Sequence, residues 1–529
     1  MQIKDALHDR VAAKILAARA AAHPERPFVF FAGQWLTYGQ ADLRANRVAH
    51  ALLSLGVGKG SRVALLMRNR LEFLDLWFAL GRVGAIQVPL NPEYLVPQIE
   101  HVLRRAPIDV VVAESDLLAQ LLPALAGVER RPLLVVCEAQ TLPAGARRYE
   151  DALRDAPDTP PPGCEGVSGT DPGAVMNTSG TTGPSKGVLL SHAQQYLLGH
   201  LIASDIALRE DDCFYNFFPL FHNTAQAMIT IPVLLAGARM VLTPRFSVSR
   251  FWPDIIEHRC TCFYFIGEIM RMLLMSTSQA DARGAALRVG WGIGATAPDM
   301  EQFASRFGVD LRTGYGSTEA NVPCYLPAGS KRWDTAGQCI AGFELRIADE
   351  RGVAVPAGTQ GEILLRADEP CALMLGYDGD PAATVAAWQH LWFHTGDAGI
   401  LDAQGYLHFK GRIKDSIRVR GENISAFEVE EALAQHSGVA EAAAIAVPSE
   451  LGGDDLMVVV VRRPGAELTA PELISHARAR LPRYSVPRYV AFVDALPKTP
   501  TNKVQKHVLR AQGVSPSTWD RHSVEKERA

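Results

Sequence analysis

The sequence predicts an α/β protein: a large N-terminal domain with doubly wound sheets, followed by a small, mobile α+β C-terminal domain. Three observations predict it. The chain has 529 residues, past the size at which a single hydrophobic core keeps growing. Its first part alternates short apolar runs with helix-periodic segments, the pattern of parallel sheets covered on both faces. After Gly411 the order of elements changes, which places a boundary near Lys414 and divides the chain into residues 1–413 and 414–529.

The N-terminus reads as a short amphipathic helix, because Asp5, His8 and Asp9 stand where a signal peptide needs an apolar core. Val63–Met67 is a strand, Leu71–Val83 a periodic helix, and Ile86–Leu90 a strand closed by the turn signal Asn91-Pro92. Ile108–Val112 and Leu133–Cys137 repeat the rhythm. The Pro/Gly/Ser-rich stretch from Ala156 to Pro172 is a loop joining parts of one large domain. Beyond the boundary the expected order is strand (Ser416–Arg420), helix (Ala426–His436), strand (Val439–Val447), strand (Leu456–Arg462), helix (Ala470–Arg480) and strand (Tyr489–Val493). The polar tail after Val514 is expected to be loose.

Composition excludes several classes of function. Lys+Arg 53 against Asp+Glu 57 gives a formal net charge of −4, which removes the electrostatic case for a general nucleic-acid binder. No stretch reaches the roughly 18 apolar residues of a membrane helix, so a cytoplasmic location is expected. The eight cysteines are scattered, with Cys260 and Cys262 as the close pair. Zinc spacing is lacking, so they read as reduced, structural thiols.

Thr178-Ser179-Gly180-Thr181-Thr182-Gly183-Pro184-Ser185-Lys186-Gly187 carries the chemistry most plainly. Its glycines, hydroxyls and single cation can surround a polyphosphate with backbone N–H groups, hydroxyl donors and positive charge. It follows the apolar strand Ala174–Met176 and precedes Val188–Leu190, placing it at a strand's carboxyl end, where ligands of α/β sheets collect. Lys186 is followed by Gly187, so the spacing differs from a Walker loop. In Gly314-Tyr315-Gly316-Ser317-Thr318-Glu319 the ring offers a stacking face, Thr318 a hydroxyl for phosphate, and Glu319 a hard oxygen ligand for Mg²⁺.

These segments together resemble the acyl-adenylate-forming superfamily, which contains acyl- and aryl-CoA synthetases, peptide-synthetase adenylation domains and beetle luciferases. Ser185 stands where that family more often has proline. Leu36–Gln40 and Gly84–Asn91 look like its early structural motifs, read here as packing and turn formation. Phe218-Pro-Leu-Phe-His222 is similar to its substrate-side motif, which implies that His222 borders the acyl pocket. Gly292-x-Gly294-x-x-Ala297 mimics a dinucleotide fingerprint. The resemblance instead implies that Gly294 and Ala295 lie against adenine and the acyl pocket.

The resemblance further implies that Asp397 in Trp392–Asp397 binds the ribose hydroxyls, and that Arg412 reaches the ribose or phosphate. Lys414 falls at the family's hinge. Lys503, in Pro497–Lys506 with Asn502 where glycine is common, is the adenylation lysine. Gly421 leaves room for a pantetheine arm. The run Arg420–Glu428 is similar to bacterial ligases of the crotonobetaine/carnitine-CoA type, a group that includes ligases for other acids.

The implied reaction converts a carboxylic acid and ATP, with Mg²⁺, into an acyl-adenylate, and then passes the acyl group to coenzyme A. The small domain would close over the site for the first step and rotate for the second. A homodimer is the family-level expectation. Delivery to a carrier protein or another acceptor is the alternative, and a nicotinamide oxidoreductase built around Gly292–Ala297 the distant one. Aromatic Phe263, Tyr264 and Phe265 suggest an apolar acyl slot, with alternation sending only some of them inward. Further wall is expected from His222–Gln226, Tyr264–Gly267, Gly292–Ala295 and Gly314–Ser317.

Overall fold

A computed structural model describes residues 5–178, 186–413, 416–419, 422–449, 454–481, 485–499 and 503–523. The chain divides into two compact units, one of residues 1–178, 185–344 and 365–391, the other of residues 179–184, 345–364 and 392–529. Lys414 lies outside the described residues.

The larger unit is built on two sheets. In one, the parallel strands Arg62–Leu66, Ile86–Leu90, Val110–Glu114 and Leu133–Cys137 lie side by side with Pro172–Asn177. Successive residues serve different cores, which is why these strands are apolar throughout. Val63 and Leu65 enter one cluster and Ala64 and Leu66 the other. The other sheet runs parallel through Cys213–Asn216, Cys262–Ile266, Val289–Ile293 and Asp310–Ser317. Its edge turns antiparallel at Asn321–Tyr325.

The helix Leu71–Val83 has the expected bounds and stops at Gly84, whose φ of 71° suits a left-handed C-cap. Leu36–Gln40 has the structural role assigned to it. Thr37 caps the helix Tyr38–Ser54 by accepting from Gln40 N at 3.2 Å, while Thr37 N donates to Gln40 Oε1 at 2.9 Å.

The sheet that carries the phosphate-type loop is mixed. Pro172–Asn177 pairs parallel with Ile86–Leu90 but antiparallel with Gly187–Ser191, Asn177 standing opposite Gly187. The connection 178–186 is too short for a parallel crossover, so the strands that flank it pair antiparallel.

In the smaller unit Val439–Pro448, Asp454–Arg462 and Tyr489–Val493 form a sheet whose faces feed separate cores. Val458 and Val460 pack on Val429 and Leu433 of helix Ala426–Ala434 and on Leu473 of helix Ala470–Arg478. Met457 and Val459 face Leu509 of helix Lys506–Gln512, an element the sequence pattern did not announce. The tail also departs from expectation. Trp519–Asp520 pairs with Tyr489–Val493, and Arg488 binds Asp520 at 3.1 Å, so this part is a sheet edge. Among the described residues no helix is long and apolar enough to cross a membrane.

Candidate active site

In the larger unit the two ends of the Thr178–Lys186 loop are tied together. Thr178 N donates to Lys186 O at 2.9 Å, and Thr178 Oγ1 donates to the same oxygen at 3.3 Å. Asn177 anchors the base, accepting from Arg105 at 3.0 Å and donating to Pro89 O at 2.9 Å. Ser179, Gly180, Thr181, Thr182 and Gly183 lie outside the described residues.

Lys186 extends from this base so that Nζ sits 4.3 Å from the centre of the Tyr377 ring. The Tyr377 hydroxyl donates to Glu319 Oε1 at 3.3 Å. The structure therefore links Lys186 and Glu319, 133 positions apart in sequence, through a residue that the sequence reading missed. Gly376-Tyr377 is a two-residue strand on Val188–Leu189, and only that pairing reveals it.

The Thr318–Asn321 turn is held on several sides. Gln194, buried on helix His192–Asp205, donates to Thr318 O at 3.1 Å and Glu319 O at 3.2 Å. Met374 N donates to Glu319 O at 2.8 Å, and Asn321 Nδ2 donates to Gln194 O and Ala372 O. Asn321 is left-handed, with φ 56°. Gly314 and Gly316 permit the tight return of the next strand, since a Cβ there would collide with Cys324 O and Asn321 O respectively. Tyr315 is largely buried opposite Cys324, and Ser317 stands opposite Asn321 beyond an irregularity in the pairing.

Gly294 takes φ 75° at the end of strand Val289–Ile293, and Ala295 leads into Thr296, which caps helix Ala297–Phe307. The backbone of Gly294 lies against Gly267, leaving no space for a Cβ there. Two of the expected acyl-wall segments thus meet. Of the three aromatics on strand Cys262–Ile266, Tyr264 stacks on Trp291 at 5.7 Å and meets Phe218 edge-on at 5.1 Å. Phe263 and Phe265 turn to the opposite face, where a Cβ at Gly290 or Gly292 would strike them. Burial pushes the Tyr264 phenol well above its usual range. His222 follows a turn closed by its own N–H on Pro219 O at 3.0 Å, and its ring lies 4.7 Å from that of Phe221.

In the smaller unit Asp397 and Arg412 stand opposite each other on the antiparallel strands Trp392–Leu401 and Leu407–Arg412. Arg412 Nε is 2.9 Å from Asp397 Oδ1, and Arg412 also donates to Thr395 O at 3.0 Å. Glu362 fixes the approach to this pair, accepting from Gly396 N at 3.0 Å and contacting His394 at 2.8 Å. Lys503 is exposed. Its N–H donates to Thr499 Oγ1 at 3.1 Å, Thr499 N donates to its carbonyl at 2.7 Å, and Lys498 bridges to Val504. Gly421 lies outside the described residues.

A single carboxylate, Glu319, with a phenol donor at one oxygen, suits Mg²⁺, which takes one or two protein carboxylates and completes its shell with water and phosphate oxygens. Among the described residues no cluster of three metal-binding side chains occurs. All eight cysteines are unbridged thiols.

Comparison with known proteins agrees with this geometry. The AMP-binding enzyme family pattern matches residues 16–378, and the AMP-binding enzyme C-terminal domain matches residues 428–503. A crotonobetaine/carnitine–CoA ligase of Salmonella arizonae is 30% identical over 491 residues, spanning 90% of this chain and 93% of that protein. An anthranilate CoA ligase, AuaEII, in complex with anthranoyl-AMP, superposes with TM-score 0.88 at 27% identity over 96% of this chain and 98% of that one. ATP-bound MatB from Rhodopseudomonas palustris gives 0.84 at 26%, over 94% and 98%. The chain belongs to the AMP-binding enzyme family.

Proposed function

We propose that this AMP-forming acid–CoA ligase works in two steps, first joining a carboxylic acid to AMP with release of pyrophosphate and then transferring the acyl group to coenzyme A. The observation that carries the reading is the Lys186–Tyr377–Glu319 linkage between the two phosphate-directed segments. A carboxylate resists nucleophiles because of its charge, and oxide is a hopeless leaving group. A mixed anhydride with AMP removes both obstacles.

In the first step a carboxylate oxygen of the acid attacks the α-phosphorus, and the bond to the bridging oxygen of pyrophosphate breaks. Thr178, the loop that follows it and Lys186 bind the departing phosphates, and Lys503 stabilises the charge that builds at the α-phosphate. Asp397 accepts from the ribose hydroxyls and Arg412 orients the same sugar, a contribution of several kcal/mol through positioning alone. Glu319 would hold Mg²⁺, which supplies charge neutralisation at the phosphates when bound. In the second step the CoA thiol attacks the acyl carbon and AMP leaves, so the protein needs no nucleophile of its own. We assign the acyl-pocket wall to His222–Gln226, Tyr264–Gly267, Gly292–Ala295 and Gly314–Ser317, and the hinge to Lys414.

Pyrophosphate release with ATP and Mg²⁺ across a panel of carboxylic acids, with and without CoA, tests the reading. Acid-dependent turnover that requires CoA and yields an acyl-CoA by mass is the expected result. A retained adenylate that CoA does not discharge would instead assign the acyl group to a carrier protein or another acceptor.

A further inference from the structure

The Phe218–Gln226 segment is held from behind by buried amides. Asn69 Nδ2 donates to Phe218 O at 3.0 Å, and its Oδ1 accepts from Leu220 N at 2.7 Å. Gln87 and Gln226 exchange hydrogen bonds of 2.6 and 3.2 Å, and Gln226 Nε2 also donates to Leu220 O at 2.7 Å. Gln195 Nε2 donates to Asn223 Oδ1 at 2.9 Å and reaches Gln226 Oε1 at 3.4 Å. The Gln226 to Asn223 stretch enters a π-helix over Thr224–Thr230, a rare form concentrated at functional sites.

The orientation of the Gln226, Gln195 and Asn223 amides follows from one backbone atom. Leu220 O can only accept, so Gln226 must aim its nitrogen there and keep Oε1 as an acceptor. Gln195 must then aim its own nitrogen at Gln226 Oε1, and the same nitrogen meets Asn223 through its oxygen. Asn223 Nδ2 is left as an outward donor. The residue is only 9% exposed, and among the described residues Nδ2 has no hydrogen-bond partner. The atom is not sealed in, unlike the orphaned Gln194 Oε1, and so borders open space. The Tyr264 hydroxyl repeats the pattern. Its residue is 1% exposed, its oxygen lacks a partner among the described residues, and its ring touches Phe218.

A donor held in a fixed orientation on open space by partners behind it is preorganised for an acceptor that enters that space. We propose that Asn223 is a specificity-determining residue whose Nδ2 donates to a neutral hydrogen-bond acceptor on the acyl group, a hydroxyl, carbonyl or ether oxygen. The inference rests on the assignment of this wall to the acyl pocket. The amides Gln87, Gln195, Asn223 and Gln226 are themselves uncharged and offer no ion to pair with a second carboxylate or an ammonium group, and the adjoining His222 is the titratable side chain of this wall. Burying either charge against these amides would go uncompensated. The neutral acceptor is therefore the matching chemistry.

The experiment compares kcat/KM for pyrophosphate release with hexanoate, hydroxyhexanoates, oxohexanoates, a dicarboxylate of similar length and a trimethylammonium acid. The expected result is a preference of roughly tenfold or more for one hydroxy or oxo acid over hexanoate, the scale of one buried hydrogen bond. Asn223→Leu should bring that ratio towards one. Gln195→Leu, which leaves Asn223 in place but releases its carboxamide to turn, should lower it as well. Because each ratio is taken within one variant, a loss of folded protein cancels. A wild-type ratio near one, a ratio that survives Asn223→Leu, or a preference for either charged acid overturns the inference while ligation itself stands. Absence of pyrophosphate release with every one of these acids overturns the inference, because no acid with a neutral acceptor is then accepted, while release with other carboxylic acids keeps the ligase reading.

Discussion

Arg412 faces Asp397 across an antiparallel strand pair, its Nε 2.9 Å from a carboxylate oxygen whose side chain is 5% exposed while that of Arg412 is 50% exposed. The acid is thus buried and the base reaches outward, the arrangement expected of a pair that meets a ligand from one side. Arg412 also grips Thr395 O, so its guanidinium plane is fixed by two partners. Replacing Arg412 by alanine should lower kcat/KM for ATP by roughly ten- to a hundredfold, the loss of a charge-assisted hydrogen bond or two. Arg412→Lys should recover only part, because an ammonium cannot reproduce the planar fork. Steady-state kinetics at varied ATP measures both, and a lysine variant equal to wild type would remove the geometric role.

Tyr377 separates two contributions that a single deletion would merge. Its ring carries the Lys186 ammonium and its hydroxyl donates to Glu319. Tyr377→Phe keeps the ring and should raise KM for Mg·ATP only a few-fold, whereas Tyr377→Ala should raise it by roughly tenfold or more. Titration of activity against free Mg²⁺ at saturating ATP should show the phenylalanine variant weakened as well, since Glu319 loses its donor. Equal effects of both substitutions would mean that the ring contributes nothing.

The sequence announces the elements whose signals are local. Leu71–Val83 is read to the residue because an amphipathic run ends at a glycine that can adopt the left-handed cap. Ile86–Leu90 and Leu133–Cys137 are equally plain, being apolar runs bounded by turn residues. Information that depends on pairing is not local. Nothing in Pro172–Asn177 itself says that its neighbours run in opposite directions, and Trp519–Asp520 becomes a strand only through its partner. The candidate site divides in the same way. Thr178, Glu319 and Asp397 stand in recognisable motifs. Tyr377, Gln194 and Glu362 are visible only after folding, because each acts on a motif from a distant stretch of chain.

His192 provides a test by pH. It starts helix His192–Asp205 against Gly81 and Gly173, and burial, reinforced by Lys14 and Lys59, pushes its imidazole down to about 4. Folded protein therefore binds fewer protons at this ring than unfolded protein does between pH about 4 and about 6.5. The neutral ring's contribution is complete above that window and is lost as pH falls through it. Between pH 6.5 and pH 5 the expected loss is about 2 kcal/mol. Urea denaturation at several pH values should show His192→Gln with a correspondingly shallower decline on acidification. Parallel curves for wild type and variant would mean that His192 titrates normally in the fold.

The role proposed for Lys503 predicts different losses in the two proposed half-reactions. The Lys503 backbone is fixed on both sides by Thr499, while its side chain is exposed, so the ammonium is delivered from an anchored base. Charge builds on the α-phosphate when the acid attacks, and a cation placed there stabilises the transition state more than the bound substrates. Thiol attack on the finished anhydride places its new negative charge on the acyl carbonyl oxygen instead, and that step does not call on the same cation. Lys503→Ala should therefore reduce adenylate formation by roughly a hundredfold or more while leaving transfer from supplied acyl-AMP to CoA largely intact. Single-turnover measurements of each half-reaction decide it. An equal loss in both steps would make Lys503 a general contributor to nucleotide binding, and an intact first step would place the adenylating cation elsewhere.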